Sequence, residues 1–174
     1  MDYMQRALEL AEAATGTTSP NPAVGAVIVK GGKIVGEGFT QSPPGSHAEI
    51  VALSEAGLES KGSSLYVTLE PCSHYGRTPP CTDALIKAGI SKVNIAMLDP
   101  DLKVDGKGIS SLKESGISVS VGEGKEQALR INEAYIKHRL SGRPFIIAKF
   151  AASVDGKIAS SSGDSRWVAG LEAR

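Results

Sequence analysis

A small set of side chains in this sequence has the chemistry to bind a metal and move protons. His47 and Glu49 stand two residues apart, and Cys72 and Cys81 follow, so the chain offers one imidazole, one carboxylate and two thiols. Catalytic zinc sites use three such protein ligands, because the fourth position then stays open for water. The pattern predicts a zinc site with His47, Cys72 and Cys81 as ligands, and Glu49 as the group that moves the protons of the water.

The spacing of His47 and Glu49 places a condition on the local structure. Helical positions two residues apart point roughly 200° away from each other, so both side chains can serve one site only near the start of a helix. Two other interpretations stay open here: a structural zinc site with His74 as its fourth ligand, or a histidine N-cap followed by a surface glutamate. The first leaves Glu49 without a role, and the second does not account for Cys72 and Cys81.

Two polar loops are candidates for substrate binding. In Pro20-Asn21-Pro22, which stands just before an apolar run, Asn21 can present an amide that donates and accepts at a ring edge; a rigid turn is the alternative. His74 and Arg77 flank Gly76 between the two cysteines. An arginine and a histidine beside a zinc site suit a phosphate group, and an exposed loop with solvated charges is the alternative.

The elements that must carry these residues alternate between strands and helices. Asp2 can cap the first helix, Gly31-Gly32 predicts a hairpin turn, and Gly89 closes a later helix. Apolar periodicity predicts helices at 2–14, 47–56, 82–88, 108–115 and 125–140, and strands at 23–30, 33–39, 64–69, 92–98, 117–121 and 145–150. This order indicates an α/β layered domain with a mixed sheet, in which each half of the metal motif lies where a loop enters a helix.

Composition and charge narrow the classes of partner. The 174 residues are 41% hydrophobic and 22% charged, which is typical of a globular domain. The 19 basic and 19 acidic residues cancel and only 5% of residues are aromatic, so we expect no nucleic-acid partner. The run Lys137-His138-Arg139 is interpreted as a solvated helix face. Without a long apolar run or a signal-peptide pattern, we expect no membrane partner and a cytoplasmic location, where two cysteines favour metal or catalysis over a disulfide.

The motifs taken together resemble one family, the bifunctional riboflavin-biosynthesis deaminase/reductase. His47-Ala48-Glu49 and Pro71-Cys72 match the zinc-deaminase signature H-x-E…P-C-x-x-C, except that eight residues instead of two separate Cys72 from Cys81. That longer gap is the mark of the riboflavin family. The resemblance covers essentially the whole chain and includes the runs at 20–25, 66–81, 142–145 and 153–159.

The resemblance implies a fold, a substrate and a set of roles. The fold would be a cytidine-deaminase-like three-layer α/β/α domain with a mixed, roughly five-stranded sheet. The substrate would be 2,5-diamino-6-ribosylamino-4(3H)-pyrimidinone 5′-phosphate, which would lose its 2-amino group by hydrolysis at one zinc ion per chain. Zinc would be held by His47, Cys72 and Cys81, protons moved by Glu49, and substrate bound by Asn21, His74 and Arg77. Another base deaminase of the same superfamily and a zinc-binding, non-catalytic remnant remain alternatives, and a homo-oligomer is expected.

The resemblance also predicts a division of the chain. A deaminase domain at 1–123 would be followed by a connecting helix and linker at 124–144, and by the beginning of a dihydrofolate-reductase-like domain at 145–174. In that segment Ala151 and Trp167 match positions that contact NADPH, and Ser165 matches one that contacts substrate. Because only the beginning of that domain is present, no reductase activity is expected, and NADPH would bind only with a complete domain.

Two departures from the family pattern bear on substrate affinity. Thr40 stands where the family often has a histidine, and Asp99-Pro100-Asp101-Leu102 replaces an Asp-Pro-Asn-Pro run. Threonine can still donate a hydrogen bond, but it cannot carry charge.

Overall fold

The structure is a computed structural model that describes residues 2–75, 79–101, 104 and 106–166. The chain separates into two compact units, Met1–Pro144 and Phe145–Arg174. In the described part of the first unit, the helices are α1 (Tyr3–Ala14), α2 (Ala48–Ala56), α3 (Cys81–Ala88), α4 (Lys107–Glu114), α5 (Lys125–Ile131) and α6 (Glu133–Ser141), with a 3-10 turn at Gly57–Ser60. The strands are β1 (Gly25–Lys30), β2 (Lys33–Phe39), β3 (Ser64–Leu69), β4 (Lys92–Met97) and β5 (Ser118–Val121).

The five strands form one mixed sheet in the order β2-β1-β3-β4-β5. β1 pairs antiparallel with both β2 and β3, whereas β3, β4 and β5 run parallel to one another. The predicted hairpin at Gly31-Gly32 is confirmed, and both glycines have positive φ angles that side chains with a Cβ rarely adopt. The carboxyl ends of β3 and β4 therefore meet at one edge of the sheet.

Helices cover both faces of the sheet and produce three layers. α1 and α5 pack together on one face, against β1, β3 and β4, while α2, α3 and α4 follow one another on the other face. The predicted cap of α1 is confirmed, since the Asp2 side chain accepts a hydrogen bond from the Gln5 amide at 2.9 Å. The core between the layers is aliphatic, and its largest fully buried side chains include Met4, Leu8, Ile28, Leu65, Leu85, Ile95 and Leu112.

Glycines on the two antiparallel strands allow the helices to approach the sheet closely. A Cβ on Gly25 would lie 1.9 Å from the carbonyl oxygen of Ala7 in α1. A Cβ on Gly38 would lie 2.3 Å from the carbonyl oxygen of Ala48, at the start of α2. Backbone thus contacts backbone at both places, and the position of each helix depends on the missing side chain.

The prediction of one continuous helix at 125–140 was wrong. The chain leaves helical geometry at Asn132, whose φ and ψ are −105° and 19°, and α6 begins afterwards. The Asn132 side chain is buried and makes hydrogen bonds to the backbone of Ala23. The local helical pattern does not predict this contact. A tertiary contact therefore overrides the local helical pattern.

The second unit contains no helix or strand in its described residues, 145–166. The strand predicted at 145–150 was therefore wrong, and a lone extended segment has no neighbour within that unit to satisfy its backbone groups. Two local turns are present, in which Ser153 and Ser160 bond to Lys157 and Asp164.

Among the described residues of the chain, no helix is both long enough and apolar enough to cross a membrane.

Candidate active site

His47 lies at the start of α2, as its two-residue spacing from Glu49 required. It occupies the N-cap position with extended backbone angles of −69° and 157°, and its carbonyl oxygen accepts from the Ile50 and Val51 amides. Its side chain makes no capping hydrogen bond. The imidazole therefore remains available for the cysteines, and Glu49 falls in the first turn of the same helix.

The two cysteines near the imidazole lie at the two ends of the connection between β3 and α3. Cys72 follows the end of β3, and Cys81 is the first residue of α3. The Cys81 amide donates to the Cys72 sulfur at 3.3 Å, and the Thr82 amide donates to the Cys72 carbonyl at 3.2 Å. The first turn of α3 thus holds the loop that carries Cys72, so the eight intervening residues do not separate the two sulfurs.

One ligand atom from each of His47, Cys72 and Cys81 lies within 4.8 Å of the others. The Nδ1 atom of His47 is 3.3 Å from the Cys81 sulfur and 3.7 Å from the Cys72 sulfur. Two soft sulfur atoms and one imidazole nitrogen at these separations form a donor set that suits zinc. The three residues predicted as ligands are therefore brought together by the fold.

The charges of the three groups depend on one another. The hydrogen bond from the Cys81 thiol lowers the pKa of Cys72 to about 4, and the same contact raises the pKa of Cys81 because the proton stays between the sulfurs. The hydrogen bond to Cys72 also raises the pKa of His47. A divalent cation would displace the protons of such a cluster on binding.

Glu49 is a buried carboxyl group next to this cluster, with 4% of its surface exposed. Burial is the main cause that raises its pKa to about 7, and the charge of Cys72 adds to the effect. A carboxyl group near neutrality can both accept and release a proton at physiological pH. The interpretation of Glu49 as a solvated surface residue was therefore wrong.

A cleft of about 590 Å³ opens over these residues. His47, Glu49 and Cys72 lie in its wall, together with the predicted substrate residues Asn21 and His74. Thr40, where the family often has a histidine, also lines the cleft. Its hydroxyl oxygen accepts from the Val24 amide at 3.1 Å, and its O–H can still donate.

The other predicted site residues do not line the described part of this cleft. Arg77 and Trp167 lie outside the described residues. Ala151 and Ser165 belong to the second unit and are exposed there. Their predicted roles in substrate and NADPH binding remain predictions.

Further polar residues that line the cleft include Glu70, Asp99, Tyr135 and Arg139. Of these four, only Asp99 was connected with substrate affinity from the sequence, as part of a run that departs from the family pattern. Glu70 and Asp99 follow β3 and β4, whose carboxyl ends share one edge of the sheet. Ligands of parallel sheets bind at that edge, so the order of the strands was a usable signal for these two carboxylates. No comparable signal marked Tyr135, because its contact with Asp99 joins residues 36 positions apart.

Glu70 and Asp99 are both buried, but they differ in their hydrogen bonds. The Glu70 carboxylate accepts from the amides of Asp99, Gly106, Gly108 and Ile109, at 3.0 to 3.4 Å. Asp99 accepts from the Asp101 amide at 2.9 Å and from the Tyr135 hydroxyl at 3.1 Å, and burial raises its pKa. Glu70 therefore organises the loop, while Asp99 faces the cleft.

Arg139 is exposed, as predicted for a solvated helix face, but it also has contacts at the cleft. Its guanidinium lines the cleft, lies over the ring of Tyr135 and pairs with the carboxylate of Asp101. The neighbouring His138 is exposed, as predicted.

Comparisons with known proteins agree with this geometry. Residues 1–97 match the model of the cytidine and deoxycytidylate deaminase zinc-binding region. The riboflavin biosynthesis protein RibD of Synechocystis sp. is 53% identical over 175 residues, which cover 99% of this chain and 47% of that protein. A structure of Acinetobacter baumannii RibD superposes with a TM-score of 0.93 at 46% identity, covering 99% of this chain and 48% of the other.

A smaller deaminase also shares the fold. The Aspergillus oryzae Rib2 deaminase, solved as a C-terminal deletion mutant in complex with DARIPP, is 26% identical with a TM-score of 0.62. The alignment covers 79% of this chain and 92% of that protein. By contrast, the chain spans about half the length of the curated relatives it matches. Since the zinc-binding region extends over more than half of the 174 residues, the chain belongs to the cytidine and deoxycytidylate deaminase zinc-binding family.

Proposed function

We propose that this chain is a zinc-dependent aminohydrolase of riboflavin biosynthesis. Its substrate would be 2,5-diamino-6-ribosylamino-4(3H)-pyrimidinone 5′-phosphate. Water would replace the 2-amino group, giving ammonia and 5-amino-6-ribosylamino-2,4(1H,3H)-pyrimidinedione 5′-phosphate. The observation that carries the proposal is the cluster of His47, Cys72 and Cys81 beside a buried Glu49 in one cleft. The names of the riboflavin biosynthesis relatives support the choice of substrate.

The donor set supports one zinc ion per chain. His47 would supply its Nδ1 atom, and Cys72 and Cys81 would supply their sulfurs, since these atoms already lie within 4.8 Å of one another. Zinc bound by three protein ligands lowers the pKa of water from about 15.7 to about 7, and thus supplies a nucleophile at neutral pH. A fourth protein ligand is not needed, which favours a catalytic site over a structural one.

Glu49 would transfer the protons that the reaction requires. Its carboxylate would take a proton from the attacking water and pass it to a ring nitrogen of the substrate. It would then take the second proton, from the hydroxyl group added to the substrate, and give it to the departing amine. A pKa of about 7, caused mainly by burial, suits a group that must accept and release a proton in one cycle. Its place in the first turn of α2 keeps it beside the ligand set rather than within it.

Asn21 and His74 would bind two different parts of the substrate. Asn21 lines the cleft, and its amide can donate to and accept from the edge of the pyrimidinone ring. His74 lines the same cleft and would face the ribosyl phosphate together with Arg77. Ala151, Trp167 and Ser165 retain their predicted reductase roles only in a chain with a complete second domain.

Metal analysis combined with an ammonia-release assay tests the proposal. The purified chain should contain about one zinc per protomer and release ammonia from the diaminopyrimidinone phosphate. Glu49→Gln should retain zinc and lose at least about 10²-fold in kcat. Glu12→Gln is the matched control, because Glu12 is exposed on α1 and does not line the cleft.

Each alternative has its own outcome in the same assay. Ammonia release from cytidine or deoxycytidylate, but not from the diaminopyrimidinone phosphate, would identify another deaminase of the family. Bound zinc without ammonia release from any of these substrates would identify a non-catalytic zinc protein. Unchanged activity in Glu49→Gln would remove the proton-transfer role.

A further inference from the structure

Helix α6 presents a stacked pair of side chains to the cleft. Tyr135 and Arg139 stand four residues apart, so they lie on the same face of the helix. The guanidinium carbon of Arg139 is 5.1 Å from the centroid of the Tyr135 ring. The hydroxyl of Tyr135 donates to Asp99 at 3.1 Å, and this bond anchors the ring on which the guanidinium rests. A guanidinium carries five N–H donors in a planar fork, so it can bind an anion while its carbon lies over a ring.

The guanidinium of Arg139 is a positive charge in a cleft whose wall carries several carboxyl groups. Glu49, Glu70, Asp99 and Asp101 all contribute carboxyl groups to the wall. Among the described residues that line the cleft, Arg139 is the only lysine or arginine. The substrate proposed above carries a phosphate, which these carboxyl groups would repel unless cations faced it, and Arg139 would serve beside the proposed His74 and Arg77.

The present partner of Arg139 holds it weakly. Its Nη1 atom lies 3.4 Å from the Asp101 carboxylate, and 37% of the arginine side chain is exposed. A single ion pair of this kind contributes less than about 1 kcal/mol. The guanidinium can therefore exchange Asp101 for another anion at little cost, and its planar fork matches two phosphate oxygens at once.

We propose that Arg139 is a substrate-binding residue that pairs with the phosphate of the aminopyrimidine substrate, and that Asp101 holds it in place until substrate arrives. This inference rests on the proposed function for the identity of the substrate. It adds α6, the helix after the break at Asn132, to the elements that determine specificity.

Kinetics on two substrates test the inference. Arg139→Met keeps the length and apolar stem of the side chain but removes the charge. It should raise KM for the phosphorylated aminopyrimidine at least about tenfold with little change in kcat, and leave KM for the dephosphorylated compound unchanged. Arg130→Met, an exposed position on α5 outside the cleft, should change neither value. Equal KM values for wild type and Arg139→Met on the phosphorylated substrate would overturn the inference.

A second variant separates phosphate binding from a structural role. Asp101→Asn should release Arg139 and lower KM for the phosphorylated substrate. The same change made together with Arg139→Met should bring no such gain. A merely structural role for the Asp101–Arg139 pair predicts the opposite, namely that both single variants weaken binding.

A binding measurement tests the inference without turnover. Calorimetry measures the affinity of the zinc-loaded protein for ribose 5-phosphate. Wild type should bind ribose 5-phosphate more tightly than ribose, and Arg139→Met should lose that difference. If wild type releases no ammonia but shows this difference, the proposed function fails and the anion site stands. If Arg139→Met binds ribose 5-phosphate as wild type does, the anion site fails even though deamination is observed.

Discussion

The side chain of Asn132 holds the backbone of Ala23 by two hydrogen bonds. Its Oδ1 atom accepts from the Ala23 amide and its Nδ2 atom donates to the Ala23 carbonyl, both at 2.9 Å. The two residues are 109 positions apart, and both contacts are buried. Because Ala23 follows the loop of Asn21 and α6 begins directly after Asn132, one amide joins two walls of the cleft.

Removing this amide should destabilise the protein and weaken substrate binding together. Asn132→Ala leaves a buried N–H and a buried C=O of Ala23 unpaired, which costs about 2–4 kcal/mol in the free energy of unfolding. The displaced α6 should also raise KM. Denaturant unfolding and steady-state kinetics measure the two effects.

Asn94→Ala is the matched control for this prediction. Asn94 is a buried asparagine of β4 that bonds to Leu65 and Ser120, away from the cleft. It should lower stability by a similar amount without changing KM. Equal changes of KM in the two variants would contradict a specific role for Asn132.

Replacing Glu70 should loosen the loop that carries Asp99 and Asp101. Glu70→Gln puts an amide nitrogen where the carboxylate now accepts from backbone N–H groups, including those of Gly106 and Gly108. We expect a loss of about 2–3 kcal/mol in the free energy of unfolding, because hydrogen bonds to a charged acceptor are the stronger ones. Glu114→Gln, at the exposed end of α4, should have no measurable effect; an unchanged unfolding midpoint in Glu70→Gln would contradict the argument.

Two glycines of β2 should affect zinc differently. A Cβ on Gly38 would press on Ala48 at the beginning of α2, whereas one on Gly36 would press on the Ala52 carbonyl, at 2.3 Å in each case. Each Gly→Ala variant should lose about 1–3 kcal/mol through overpacking. Only Gly38→Ala should displace the end of α2 that carries His47, so its zinc affinity should fall at least about tenfold. Competition with a chromogenic chelator measures this; equal affinities in the two variants would contradict it.

The ion pair between Arg6 and Glu37 should make stability depend on acid pH. The guanidinium donates to both carboxylate oxygens, at 2.8 and 2.9 Å, and these hydrogen bonds lower the pKa of Glu37 below its ordinary value of 4.5. A lowered folded-state pKa means that the pair stabilises the fold above about pH 4.5 and that this contribution is lost as pH falls through the folded-state pKa.

Glu37→Gln should therefore be less stable than wild type by about 0.5–1 kcal/mol at pH 7, a modest value because both side chains are partly exposed. The difference should shrink as the pH is lowered below 4.5. Glu9→Gln removes the more exposed partner of the same arginine and should have a smaller effect. Unfolding by urea at a series of pH values measures all three proteins, and a difference that grows in acid would contradict the assignment.

Local signals in the sequence were sufficient for most of the elements. The Asp2 cap, the Gly31-Gly32 turn and the Gly89 helix end are confirmed because each depends on residues only a few positions apart. The prediction failed at Asn132, where a contact with a distant strand outweighs the helical pattern. It also failed at 145–150, since apolar periodicity alone does not provide a partner for a strand.

The sequence by itself determined which atoms could take part in the chemistry. One imidazole, two thiols and a carboxylate limit the site to soft-metal and proton-transfer chemistry whatever the rest of the chain does. Only the tertiary structure decided what surrounds them. Glu70, Asp99, Tyr135 and Arg139 reach the cleft through parallel strand ends and the Asn132–Ala23 contact, which join residues 36 to 109 positions apart. No local pattern encodes such pairings, because they depend on how the finished layers pack.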